Sequence, residues 1–250
     1  MLAFQELGGK ADQGKTMMLD KGLGLNAVSD LLSVAGAHIT FAKFGWGTAA
    51  TSEQDVIAAK TALYARHGIT TYPGGTLLEV ALAAGKLAEF FTEAKALGFT
   101  GIEVSDGSTT VAPAVRAQVL SQAREAGFFV ISEVGKKNPA LDHALTASDR
   151  MAQIQADLDH GAHYVLLEAR EAGKNIGIYD EAGNIKKDML AALTANGIDQ
   201  LIFEAPLKAQ QVALILQFGP QVNLGNIAHD EVTALETLRR GLRGDTVGRL

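Results

Sequence analysis

The sequence predicts an α/β fold, a (β/α)8 (TIM) barrel forming a single domain over residues 1–250. Three observations carry that expectation. Short apolar, β-rich runs alternate with longer helical patterns from one end of the chain to the other. Eight such strand–helix units occupy 250 residues, the usual size of such a barrel. Several helical patterns stop at a glycine directly before the next strand (His67-Gly68, Leu97-Gly98, Ala126-Gly127 and His160-Gly161), where glycine supplies the left-handed residue that ends a helix. No Pro/Ser-rich linker and no break in composition divides the chain. Alternation by itself also fits an open, doubly wound sheet.

In chain order, the strands are expected at 16–20, 38–43, 70–73, 101–105, 128–133, 164–168, 201–204 and 222–224. Between them, 55–67, 87–97, 115–126 and 147–161 place apolar residues at i, i+3, i+4, i+7 spacing, one face of a helix. Gly45-Trp46-Gly47 and Gly74-Gly75 fall just after strands, which in a barrel puts them in loops of the catalytic face. Trp46 reads as an anchor for its loop.

Composition narrows the function classes. A hydrophobic fraction of 47 % is that of a globular protein. The absence of cysteine excludes disulfides, thiolate zinc sites and a cysteine nucleophile. With 22 Lys+Arg against 28 Asp+Glu the net charge is −6, which argues against nucleic acid as a partner. No apolar run approaches the roughly 18 residues of a membrane span, and the first residues lack a basic-then-apolar leader pattern. A soluble, cytoplasmic protein is expected.

The acids are the most informative feature. Glu103, Glu133, Glu168 and Glu204 each fall at or near the C-terminal end of one of four successive strands, the end at which barrel enzymes open their active sites. Four carboxylates on one rim repel one another unless cations or donors compensate them. A divalent ion such as Mg²⁺, which takes one or two carboxylates plus waters and substrate oxygens, is one natural compensator. Lys43, Lys136, Lys137 and Arg170 share that rim, as suits an anionic substrate. Arg239, Arg240 and Arg243 near the C-terminus read mainly as helix-end charges. No Walker pattern, no strand-linked Gly-x-Gly-x-x-Gly and no Gly-x-Ser-x-Gly elbow occurs.

Nine segments resemble the phosphosulfolactate synthases, which are barrels. They are Leu19-Asp-Lys-Gly22, Lys43-Phe-Gly-Trp-Gly-Thr48, Tyr72-Pro-Gly-Gly-Thr-Leu77 with Glu79, Glu103-Val-Ser-Asp-Gly-Ser108 and Glu133-Val-Gly-Lys-Lys137. They continue with Glu168-Ala-Arg-Glu171, Ile202-Phe-Glu-Ala-Pro206, Val222-Asn-Leu-Gly-Asn-Ile227 and Glu236-Thr-Leu-Arg-Arg-Gly-Leu-Arg-Gly-Asp-Thr246, in order over nearly the whole chain. The resemblance implies a Mg²⁺-dependent lyase that adds sulfite to phosphoenolpyruvate, giving (2R)-2-phospho-3-sulfolactate on the way to coenzyme M. It implies Lys137 as proton donor, with Glu133 beside it as a catalytic residue. Glu103, Glu168 and Glu204 are then expected as metal ligands, and Lys43, Arg170, Asn223 and Asn226 as substrate contacts. The expected partners are the two small anions, and the expected assembly is a homo-oligomer.

Such synthases are also expected to carry an arginine just ahead of the first strand, where this chain reads Gly9-Lys-Ala-Asp-Gln-Gly-Lys15. Lysine there offers a point charge in place of a bidentate fork. That departure keeps two alternatives open. One is a relative acting on another phosphorylated or enolisable carboxylate; the other is a non-catalytic barrel of the kind found among stress-associated plant members of the wider family.

Overall fold

The computed structural model describes Phe4, Leu7 and residues 14–250. Its strands are β1 (Thr16–Asp20), β2 (Phe41–Phe44), β3 (Thr70–Pro73), β4 (Gly101–Val104), β5 (Phe129–Val134), β6 (Tyr164–Leu167), β7 (Leu201–Glu204) and β8 (Leu224–Ala228). They form one sheet in the order β3-β2-β1-β8-β7-β6-β5-β4, and the paired strands run parallel. The two ends of that order meet: the Thr100 N–H donates to the Thr71 carbonyl at 3.2 Å. A Cβ on Gly101 would stand 3.0 Å from Thr70 Cγ2 and 3.2 Å from the Phe129 carbonyl oxygen, so only glycine lets β3 and β4 approach this closely. The sheet is a nearly closed (β/α)8 barrel.

Around it lie α1 (Leu25–Ala35), α2 (Gln54–Arg66), α3 (Gly75–Ala83), α4 (Leu87–Ala96), α5 (Pro113–Glu125), α6 (Pro139–His143), α7 (Ala147–Asp159), α8 (Lys187–Leu193), α9 (Lys208–Phe218) and α10 (Val232–Arg239). The glycines expected to stop helices, Gly68, Gly98, Gly127 and Gly161, all have positive φ. No helix among the described residues is long and apolar enough to cross a membrane.

Two strands differ from the sequence expectation. The second begins at Phe41 instead of His38, because Gly36–His38 close α1 with a 3-10 turn. The last runs Leu224–Ala228, two residues later than expected, straight through Gly225 and Asn226. Gly-Asn looks like turn chemistry, yet Gly225 faces the barrel interior. A Cβ there would lie 2.9 Å from Met17 Cε and 3.1 Å from Ile202 Cγ2. The glycine is there for lack of room.

Strand side chains alternate between two cores. Those facing the helices, such as Val104, Val130, Val165 and Phe203, join the large outer cluster. Those facing the axis, namely Met17, Phe41, Tyr72, Ile131, Leu166 and Ile202, fill the barrel and are at most 2 % exposed. Phe129 and Tyr164 close this plug from below, with ring centroids 5.5 and 5.8 Å from that of Phe41. Two residues further along each strand comes the next inward layer: Lys43 after Phe41, Glu133 after Ile131, Glu168 after Leu166 and Glu204 after Ile202. The alternation that plugs the barrel therefore also sets a charged layer on top of the plug.

Candidate active site

That charged layer floors a cavity of about 440 Å³ at the C-terminal ends of the strands. Its other walls come from Trp46 in the loop after β2, Gly74–Leu77 and Val80 at the start of α3, Ser108 after β4, Arg170 after β6, and Asn226.

Two lysines and four glutamates make up the floor. Lys43 Nζ is 2.9 Å from Glu103 Oε2, 3.3 Å from Glu133 Oε2 and 3.9 Å from Glu204 Oε1. Lys137 Nζ is 2.7 Å from Glu133 Oε1 and 3.0 Å from Glu168 Oε2. Glu133 thus bridges both ammonium groups. All four carboxylates are at most 2 % exposed. Burial alone would push the Glu133 carboxyl up, but Lys137 and Lys43 overcome it and hold Glu133 well below the usual carboxylate range.

The other three acids lie the opposite way. Burial pushes Glu103 up to about 7 against the pull of Lys43. Burial, with the Glu133 and Glu204 charges, raises Glu168 well above the ordinary value, and burial raises Glu204. Burial would lower both lysines, but the surrounding carboxylates raise them, so both are held as cations.

Fully ionised, the six groups would sum to 2 − 4 = −2. Ionised throughout, the floor is short of positive charge, and burial raises Glu103, Glu168 and Glu204 above the ordinary carboxylate range. Glu133, Glu168 and Glu204 also bring one carboxylate oxygen each within 4.8 Å of one another, a group that could hold a metal ion. Glu168 Oε2 is buried without a hydrogen-bond partner, although Lys137 Nζ lies 3.0 Å away. An all-oxygen trio and an excess of buried carboxylates over lysines fit a hard divalent cation.

The sequence of this chain matches the family model described as (2R)-phospho-3-sulfolactate synthase (ComA) over residues 8–245. The chain belongs to the phosphosulfolactate synthase family. It is 50 % identical over 251 residues to the phosphosulfolactate synthase of Methanocaldococcus jannaschii, with 100 % of both chains covered. Against the phosphosulfolactate synthase of Bacillus subtilis it is 35 % identical, covering 94 % of this chain and 92 % of that one. Among solved structures, the YdjI aldolase of Escherichia coli K12 superposes with a TM-score of 0.59 at 10 % identity, covering 96 % and 94 % of the two chains. A phosphonopyruvate hydrolase in complex with oxalate and Mg²⁺ gives 0.57 at 15 % identity, covering 88 % of this chain and 77 % of that one. These structural likenesses show the fold alone.

Within this family member, most of the residues singled out in the sequence converge. Lys43, Glu103, Glu133, Lys137, Glu168, Arg170, Glu204 and Asn226 all line the one cavity. Glu103, expected with the metal ligands, pairs with Lys43 and accepts the Gly75 N–H at 2.7 Å, while Glu133, Glu168 and Glu204 are the three acids whose oxygens gather within 4.8 Å. Arg170 sits at φ 57°, donates its N–H to Glu168 Oε1 at 2.6 Å, and reaches the Lys137 carbonyl at 3.3 Å. Trp46, expected as an anchor, is 62 % exposed and is a wall of the cavity instead, with Lys21 Nζ 4.6 Å from its ring centroid. Lys10, in the stretch ahead of β1, lies outside the described residues.

Asn223 is not brought to the site. It precedes β8 and therefore lies at the opposite mouth of the barrel. There its Oδ1 accepts the Lys15 N–H at 2.8 Å, and its Nδ2 donates to the carbonyls of Asp199 and Leu201 at 3.1 and 2.9 Å. It ties the starts of β1, β7 and β8 together. Arg239, from the C-terminal segment, works at the same end, donating to the Val222 carbonyl at 2.7 Å. Asn223→Ala should thus cost about 1–3 kcal/mol of stability in urea unfolding, through unpaired buried groups. Its steady-state constants should match those of the native protein.

Sequence reasoning passed over the buried supports of this site. Arg116 on α5 donates to the Glu133 carbonyl at 2.9 Å and pairs with Asp157 at 2.6 Å and Asp106 at 3.2 Å. Asp142 accepts the N–H of Lys136 at 3.0 Å and of Gly177 at 2.8 Å, linking the loops after β5 and β6. Asp142 and Arg116 belong to helical segments, where the sequence gives charged residues a solvent-facing reading; what marks them is burial.

Proposed function

We propose that this protein is a Mg²⁺-dependent phosphosulfolactate synthase, adding sulfite to C3 of phosphoenolpyruvate to give (2R)-2-phospho-3-sulfolactate, with Lys137 as the proton donor. Family membership makes it an enzyme, a carbon–sulfur bond-forming lyase. The observation that carries the finer reading is the Lys137 ammonium, held at 2.7 Å from Glu133 and 3.0 Å from Glu168 at the edge of an anion-sized cavity.

In the reaction, the sulfite sulfur forms a bond to C3 and the π pair moves toward C2 and the carboxylate. Glu133, Glu168 and Glu204 would hold Mg²⁺. When bound, the ion supplies positive charge beside the carboxylate on which enolate-like charge develops. Lys137 enters charged because Glu133 and Glu168 hold its proton on, and delivers it to C2 from one face. Lys43, locked among three carboxylates, keeps the floor from becoming more negative. Arg170 is placed to meet an anionic group of the substrate at the rim.

The decisive experiment mixes the native protein with phosphoenolpyruvate, sulfite and Mg²⁺ and follows the sulfonated product by mass spectrometry. A chiral separation assigns its configuration. No product over a range of pH and divalent metals overturns the reading. The lysines standing where an arginine is expected before β1 favour, as a second reading, another phosphorylated or enolisable carboxylate as substrate. Thermal stabilisation by phosphoenolpyruvate that sulfite then increases would decide for the first.

A further inference from the structure

Glu79 has no part in the chemistry above, yet it is a carboxylate 1 % exposed in the middle of α3. Every hydrogen bond it accepts among the described residues comes from the turn that follows β4. Its Oε1 accepts the Ser105 hydroxyl at 2.5 Å. Its Oε2 accepts the Ser108 N–H at 3.0 Å, the Thr109 N–H at 2.7 Å and the Thr109 hydroxyl at 2.7 Å. Four neutral donors on one buried carboxylate fix that turn from the α3 side.

The same turn is gripped from the β5 side. Lys136 Nζ reaches Asp106 Oδ2 at 2.5 Å and the Asp106 carbonyl at 2.7 Å. Between the two grips lies Gly107. Its carbonyl accepts the Lys137 N–H at 2.9 Å. A Cβ on Gly107 would come 3.0 Å from Lys137 Nζ and 3.1 Å from Glu133 Oε1, so the turn runs close beside the Lys137–Glu133 pair and leaves little room for a side chain. A lysine has four rotatable bonds and little intrinsic preference for one arrangement. Glu133 and Glu168 pair with its ammonium, and the 105–109 turn bounds the space beside it.

We propose that Glu79 is a positioning residue for the reaction: by pinning the 105–109 turn it seats Gly107 against Lys137 and fixes the face of the substrate that the Lys137 ammonium meets. This inference rests on the function proposed above for Lys137. A displaced ammonium changes proton delivery more than substrate binding, because misplacement by about 1 Å is enough to cost about 10²-fold in rate.

Two readouts test it in the native protein, Glu79→Ala, Glu79→Gln and Gly107→Ala. The first is the rate at which Lys137 is reductively methylated, read by peptide mass spectrometry, which needs no turnover. The second is kcat, KM and product configuration. Glu79→Ala and Gly107→Ala should label Lys137 at least about threefold faster than the native protein, as the held side chain is released. Their kcat should fall about 10²-fold with KM nearly unchanged, and the product should lose its single configuration. Glu79→Gln should recover to within about tenfold of native. Its amide oxygen can still accept from Ser108 and Thr109, and its NH₂ can donate to the Ser105 hydroxyl. If Glu79→Ala does not fold, Gly107→Ala decides, because the new methyl meets the movable end of a side chain. Unchanged Lys137 labelling with unchanged product configuration in Gly107→Ala overturns the proposal whatever happens to kcat. If the native protein does not turn over phosphoenolpyruvate and sulfite, the proposed function falls. The labelling rates then decide the role of Glu79 by themselves.

Discussion

Lys137→Ala is expected to lower kcat by about 10²–10⁴-fold while leaving the protein folded and KM for phosphoenolpyruvate close to native. The side chain is 27 % exposed and reaches into the cavity, so truncation leaves no hole in a packed core. The loss falls on the step that moves a proton. Lys137→Arg should not restore the rate: a guanidinium keeps the positive charge beside Glu133 and Glu168 but does not release its proton. Residual product from Lys137→Ala should be a mixture of configurations, since water then protonates C2 without a preferred face. A Lys137→Ala enzyme with near-native kcat and a single product configuration would remove Lys137 from the mechanism.

Under the proposed function, chelating divalent metal should abolish product formation in the synthase assay, and the same floor gives metal binding a pH dependence with a defined sign. Glu103, raised to about 7 from the ordinary value of 4.5, binds more protons folded than unfolded between those values. Glu168 and Glu204 are shifted in the same direction, chiefly by burial. Where the folded state binds more protons, stability falls as pH rises, so the metal-free protein loses stability across that window. Glu133 acts oppositely: its depressed value contributes stability at neutral pH that is lost only in strong acid. A divalent cation held by Glu133, Glu168 and Glu204 competes with the protons on the two raised members of that trio, Glu168 and Glu204, so its binding releases protons and strengthens with pH. The rise in melting temperature on adding Mg²⁺ should therefore be larger at about pH 8 than at about pH 6. Glu204→Gln should shrink that difference and raise the Mg²⁺ concentration needed for turnover. An Mg²⁺ stabilisation that is flat across this range would contradict a metal held by these acids.

How much of this could be read beforehand depends on which kind of regularity each residue obeys. Glu133, Glu168 and Glu204 follow strand periodicity: each stands two residues beyond an apolar plug residue, at the end where strands open into a site. Alternation and position along the strand suffice to find them. The pairing of Glu103 is different, because its partners, the Lys43 ammonium and the Gly75 N–H, arrive from β2 and α3. No spacing in the chain encodes that approach. Asn223 shows how a small error in register moves a residue by the length of a barrel. An expected strand over 222–224 puts Asn223 at the ligand end, whereas the strand over Leu224–Ala228 leaves it at the far mouth. Gly225-Asn226 lies inside that strand, where glycine answers to steric crowding in the barrel. Glu79, Arg116 and Asp142 were illegible as supports because charged helix residues ordinarily face water.

The apolar plug beneath the charged floor bears on the order of events. Met17, Phe41, Tyr72, Ile131, Leu166 and Ile202 leave no passage through the barrel axis, so the cavity is a cul-de-sac. Both reactants arrive, and the product departs, through one door at the strand ends. In such a chamber the molecule that lies deepest has to enter first. Under the proposed function the carboxylate trio at the bottom anchors phosphoenolpyruvate through Mg²⁺, and initial-rate kinetics should then show sulfite as the second substrate to bind. The packing of six side chains that never touch a reactant thereby imposes a queue on those that do.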